Sequence, residues 1–172
     1  MNNLKKILMD FQPIKNDLIP QMEGNDYSTP INIIKPKNFS KEKSAIIIHS
    51  HGGGGFAVNI KTNEDLSAFL ACNLNLIVID VEYRLCPEAE TAQKMISDAY
   101  QVVKHVYENP QTFDVDKDKI CIYGVSGGGF VTAGINGMLA KRNESKMVKL
   151  SILECPVLPS YWFTDDLEKM PI

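Results

Sequence analysis

Ser126 lies in the run Gly124-Val125-Ser126-Gly127-Gly128, directly after the apolar stretch Ile120-Cys121-Ile122-Tyr123 and before a segment of helical pattern. A serine at a sharp strand-to-helix turn presents its hydroxyl clear of the sheet, as attack on a carbonyl carbon requires. The backbone there is strained, and neighbouring chains pass so close that positions 124 and 128 tolerate little beyond glycine. The helix N-terminus beneath adds partial positive charge where an oxyanion would develop. By itself GxSxG also describes an ordinary glycine-rich turn, so a second signal has to decide.

That signal is His51-Gly52-Gly53-Gly54-Gly55-Phe56, which also follows a buried apolar run. Successive glycines let a loop turn several backbone N–H groups toward one point. Such donors hold a tetrahedral oxyanion, and each is worth ~10²–10³ in rate. A phosphate-binding loop is the competing reading. No Lys-Ser or Lys-Thr follows the glycines, and no acidic residue ends a partner strand at the dinucleotide offset. His51 opens the loop and is expected to brace it by hydrogen bonds rather than to exchange protons. His49, at the strand end, reads as a packed or capping residue, and His105 as a surface or boundary side chain.

Both segments need a scaffold. Ala45-Ile46-Ile47-Ile48, Leu76-Ile77-Val78-Ile79, Ile120–Tyr123 and Leu150-Ser151-Ile152-Leu153 are short continuous apolar runs, the pattern of strands buried on both faces. Ile31–Lys35 reads as an outer strand stopped by Pro36. Asn63 is expected to cap a helix through Glu64, Asp65, Leu66, Phe69 and Leu70. Met95, Ile96, Ala99, Val102, Val103 and Val106 recur at helical spacing, ended by Pro110. Phe130 to Leu139 predicts a further helix, with Gly134 and Gly137 permitting close packing on a sheet. Strands alternating with helices imply right-handed crossovers and a mainly parallel α/β sheet. Residues 1–30 read as an irregular segment, with a short helix around Leu4–Phe11, and residues 31–172 as one domain.

A net charge of −3 over 172 residues supplies no basic face for nucleic acid. The cluster Lys35, Lys37, Lys41 and Lys43 reads as a solvated loop. Cys72, Cys86, Cys121 and Cys155 form no CxxC pair, which argues against a disulfide framework or a zinc site and for a reduced, cytoplasmic setting. The apolar stretch after Lys5 and Lys6 is too short for a signal peptide. No run reaches the ~20 apolar residues of a membrane span.

HGGGGF, then Asp80-Val81-Glu82-Tyr83-Arg84-Leu85-Cys86-Pro87-Glu88, then GVSGG, in that order and spacing, resembles the hormone-sensitive-lipase family of carboxylesterases, which includes arylacetamide deacetylases. The resemblance runs from about Ile31 to Leu158. It implies an α/β-hydrolase fold and a small-molecule ester substrate, with no cofactor and no metal. Ser126 would be the nucleophile, the N–H groups of Gly53, Gly54 and Gly127 the oxyanion hole, and Arg84 and Glu88 ties between loops beneath the site. His51, Gly124 and Gly128 would support it. The chain departs from the family's usual pattern at several places. It has one glycine more after His51, and Val125, Gly127 and Glu82 stand where Asp, Ala and Asp are usual.

In this fold the triad acid and histidine follow the serine, yet His49, His51 and His105 all precede Ser126. Glu154 falls near a strand end where some α/β-hydrolases carry their acid, and Asp165 and Asp166 read as the start of a surface helix. The sequence is therefore expected to hold only the N-terminal half of the domain, and to leave the last strand's edge unpaired. Without a base, only a residual ~10³–10⁴ over water remains from the oxyanion hole and binding. A non-catalytic ligand-binding homologue is the alternative. A nucleotide-binding α/β protein rests on the glycine runs alone.

Overall fold

A computed structural model describes residues 12, 14–39 and 44–158. The helix expected near Leu4–Phe11, Lys41, Lys43, Asp165 and Asp166 lie outside the described residues. Among the described residues, six strands and four helices follow in chain order: β1 (Lys15–Ile19), β2 (Thr29–Ile34), β3 (Ser44–Ser50), α1 (Glu64–Leu74), β4 (Ile77–Val81), α2 (Ala92–Glu108), the single turn α3 (Pro110–Phe113), β5 (Val115–Val125), α4 (Gly127–Lys141) and β6 (Leu150–Glu154). The strands form one sheet in the order β1-β2-β4-β3-β5-β6. β4, β3, β5 and β6 run parallel, as the alternation of strands and helices predicts.

Two expectations are corrected. Residues 15–19, read as irregular, form β1, paired antiparallel with β2. β2 is therefore not an outer strand. It lies between β1 and β4 and is antiparallel to both. Its register places Ile31 opposite Val81 and Ile33 opposite Ile79, so its side chains join the core on the same pleat.

Apolar strand residues face both ways, as runs without alternation must. Ile46, Ile48, Ile77, Ile79, Ile120 and Ile122 share one core with Met95, Ile96 and Ala99 of α2 and Val131 and Ile135 of α4. Ile47, Val78, Cys121 and Tyr123 pack with Ala68 and Ala71 of α1 on the other face. At the end of the described sheet Leu150 and Ile152 of β6 are exposed.

The helix ends obey capping chemistry, with one shift. Thr91 caps α2 by accepting from the Lys94 N–H. Asn63 makes no side-chain cap. Asn59 instead caps a 3-10 turn over Ile60–Asn63, accepting from the Lys61 N–H, and that turn leads into α1. Gly134 lets α4 close on α2 rather than on the sheet. A Cβ there would lie 2.3 Å from Ile96 Cδ1.

Candidate active site

β5 delivers Ser126 and α4 begins at the next residue. Ser126 has φ 54° and ψ −114°, a conformation costing a side-chain-bearing residue about 1–3 kcal/mol. Hydrogen bonds on both sides hold it. Its N–H donates to the Glu154 carbonyl (2.8 Å), and its carbonyl accepts from the Phe130 N–H (3.2 Å). Ser126→Gly is therefore expected to raise stability by about 1 kcal/mol in urea unfolding, whereas Ser126→Ala keeps the strain and should gain nothing.

The glycines around Ser126 are there because backbone replaces side chain. A Cβ on Gly124 would lie 2.1 Å from the Gly128 carbonyl oxygen, and one on Gly128 only 2.0 Å from that of Ser50. Gly127, where the resembled family usually carries Ala, has its own reason. A methyl there would sit 2.8 Å from the Gly54 nitrogen. The longer glycine run thus lies tightly against the start of α4, and a bare residue 127 accommodates it.

The two glycine segments meet. Gly53, Gly54 and Gly55 all take positive φ (103°, 66° and 84°), which folds the loop over the end of β5. A Cβ on Gly52 would lie 3.6 Å from Ser126 Cβ. The Gly53 carbonyl accepts from the Phe56 and Ala57 N–H groups, and the Gly55 carbonyl from the Cys86 N–H (2.7 Å). Among the described residues the N–H groups of Gly53, Gly54 and Gly55 find no acceptor, and that of Gly127, in the first helical turn, has none within its helix.

His51 is buried, its ring stacked on Tyr83 with centroids 4.5 Å apart. Its Nδ1 lies 2.8 Å from the Gly52 carbonyl oxygen, and the Tyr83 hydroxyl donates to the His51 carbonyl at 2.6 Å. Burial pushes the His51 pKa down, against a smaller upward pull from the Gly52 carbonyl. A neutral, stacked imidazole at the root of the loop is a brace. His49 lies deeper, its Nδ1 2.7 Å from Asp80 Oδ1, which also accepts from the Ser67 hydroxyl (2.5 Å). His105 meets Phe113 edge-on at 6.0 Å. His49 and His51 are thus each held through Nδ1, while their buried Nε2 atoms have no hydrogen-bond partner among the described residues.

Glu154 contributes its backbone to the serine turn, and its exposed carboxylate accepts from the Tyr123 hydroxyl. Arg84 does tie loops together, but Glu88 does not share the task. Glu88 is exposed, with no hydrogen bond or ion pair among the described residues. The partner is Asp98 of α2, which the motifs did not single out. Its Oδ2 accepts from the Arg84 N–H and Nε–H at 3.0 and 2.9 Å, and its Oδ1 from Nη2 at 2.8 Å. Arg84 also reaches Asp26 and Asn25, and Asn25 bonds Gln101. The signal for Asp98 was present: it sits one turn from Met95 and Val102, on the apolar face of its helix. No group of three or more His, Cys, Asp or Glu is placed to hold a metal among the described residues, and no helix among them is long and apolar enough to cross a membrane.

The sequence profile described as "alpha/beta hydrolase fold" matches residues 47–170, including both glycine segments and the turn at Ser126. The chain belongs to the α/β-hydrolase fold family. The arylesterase of Saccharolobus solfataricus is 31% identical over 92% of this chain and 49% of its own length. Human arylacetamide deacetylase-like 2 is 26% identical over 86% of this chain and 38% of its own. These relatives bear out the resemblance to the hormone-sensitive-lipase family. The solved structure of the hyperthermophilic esterase from Pyrobaculum calidifontis superposes with a TM-score of 0.77 at 28% identity, covering 89% of this chain and 48% of that one. The chain spans about half the length of the arylesterase and of the Pyrobaculum esterase.

Proposed function

We propose that this chain carries the nucleophile and oxyanion-hole half of a serine carboxylic-ester hydrolase. The observation that supports it most is the meeting of the strained Ser126 with a loop of three consecutive positive-φ glycines whose N–H groups are unengaged. Ser126 Oγ attacks the ester carbonyl carbon while its proton passes to a base. The oxyanion is held by N–H groups of Gly53, Gly54 and Gly127, and the alcohol leaves with a proton to give an acyl-serine. Water then cleaves the acyl-serine to the carboxylic acid. The arylesterase and arylacetamide deacetylase names of the relatives support a small ester as substrate.

The triad base of this fold follows the nucleophile in the chain, and His49, His51 and His105 all precede Ser126, so the base comes from outside the described residues. The same observation favours a second reading, a ligand-binding homologue that keeps the pocket and has no base. Treatment of the protein in its complete natural form with a fluorophosphonate is expected to place a phosphonyl group on Ser126, located by peptide mass spectrometry, and Ser126→Ala should abolish it. A folded protein left unlabelled would overturn the hydrolase reading and leave the ligand-binding one.

A further inference from the structure

The glycine loop ends in two side chains whose placement the oxyanion chemistry does not explain. Phe56 is 73% exposed and Val58 44% exposed, although hydrophobic burial would favour folding a phenyl ring inward. Both lie against the glycine loop. A Cβ on Gly54 would lie 2.8 Å from Phe56 Cε1 and 3.1 Å from Cζ, so the ring packs against that glycine. Val58 Cγ2 lies 2.5 Å from the equivalent point on Gly53. The other flank of Gly54 faces Gly127, the residue after Ser126. One glycine thus separates the phenyl ring from the start of α4. The backbone holds this arrangement, since the Phe56 and Ala57 N–H groups both close on the Gly53 carbonyl.

We infer that Phe56, with Val58 beside it, is the specificity-determining contact for the apolar substituent of the ester; this rests on Ser126 and the glycine N–H groups being the reacting centre. An ester whose carbonyl oxygen sits among those N–H groups carries its acyl and alcohol chains away on either side, and one of them meets the ring over Gly54. The site then favours substrates with several carbons on that side over short or charged ones. The contact is made equally in ground and transition states, so it sets binding rather than the chemical step.

Binding to the complete Ser126→Ala protein, measured by ligand-observed NMR, tests this without hydrolysis. Ethyl hexanoate and hexyl acetate are isomers that place the long chain on the acyl and the alcohol side. Phe56→Ala in that background is expected to weaken one or both by about five- to tenfold, with ethyl acetate changed less than twofold. Phe56→Leu should retain most of the affinity, and the isomer that loses more identifies the chain that meets the ring. Equal affinities with and without the ring, or no binding of either isomer, would overturn the inference. Fluorophosphonate labelling of the Phe56→Ala protein with Ser126 intact separates the two claims. Labelling with no chain-length effect removes the role of Phe56 alone, whereas loss of labelling in the parent protein as well removes the hydrolase reading and this contact with it.

Discussion

Gly128→Ala is expected to destabilise the protein by at least about 3 kcal/mol. The added methyl would meet the carbonyl oxygens of Ser50 at 2.0 Å and His51 at 2.5 Å. Both are backbone atoms at the end of β3, so neither can rotate aside as a side-chain tip could. The only relief is to move α4 away from β3, and that movement separates Gly127 from Gly54 and Ser126 from Gly52. Gly24→Ala is the fitting comparison. Gly24 has φ +84° but nothing within 4 Å of its Cβ position, so its cost is conformational and about 1 kcal/mol. Urea unfolding of the two variants separates crowding from backbone preference. A loss at position 128 no larger than that at position 24 would show that β3 and α4 do not touch as described.

That crowding explains why the site was legible in the sequence. Glycines at 124, 127 and 128 mark places where backbone meets backbone, and a four-glycine run after a buried strand marks a loop folded by positive φ. Continuous apolar runs likewise gave the four parallel strands, three of them close to their observed bounds, while β5 starts at Val115, five residues before its apolar run. What the sequence hid was whatever depends on register. Lys15–Ile19 carries little apolar patterning and becomes a strand only by pairing with β2. Ile31–Ile34 shows that it is a strand but not that it lies between β1 and β4. Asn59 and Asn63 are both adequate caps, and only the path of the chain selects Asn59 for the turn before α1. The glycine pattern could also not show that Phe56 would lie back over Gly54, because that follows from the turn closed on the Gly53 carbonyl.

The second large effect lies beneath the site. Asp98→Ala is expected to cost about 3 kcal/mol, because it leaves a buried guanidinium with only the solvent-exposed Asp26 as counter-charge. Asp98 is fully buried and Arg84 is 6% exposed. The hydrogen bonds from Arg84 to Asp98, ahead of those to Asp26, hold the guanidinium firmly in its charged form, so deprotonation offers no escape. Arg84→Lys should not substitute, since an ammonium cannot give the two-pronged contact that Asp98 accepts. The variant carrying both Arg84→Met and Asp98→Leu should lose less than Asp98→Ala alone, because it removes the stranded charge together with its partner. Chemical unfolding of these variants measures this directly, and a loss under about 1 kcal/mol for Asp98→Ala would show that water reaches Arg84. The consequence extends to the glycine loop. The Tyr83 hydroxyl holds the His51 carbonyl and the Cys86 N–H holds that of Gly55, so the residues on either side of Arg84 fasten both ends of the loop. Asp98→Ala should therefore slow phosphonylation of Ser126 even under conditions where the protein remains folded, whereas a purely global loss of stability would leave the folded fraction reacting at the parent rate.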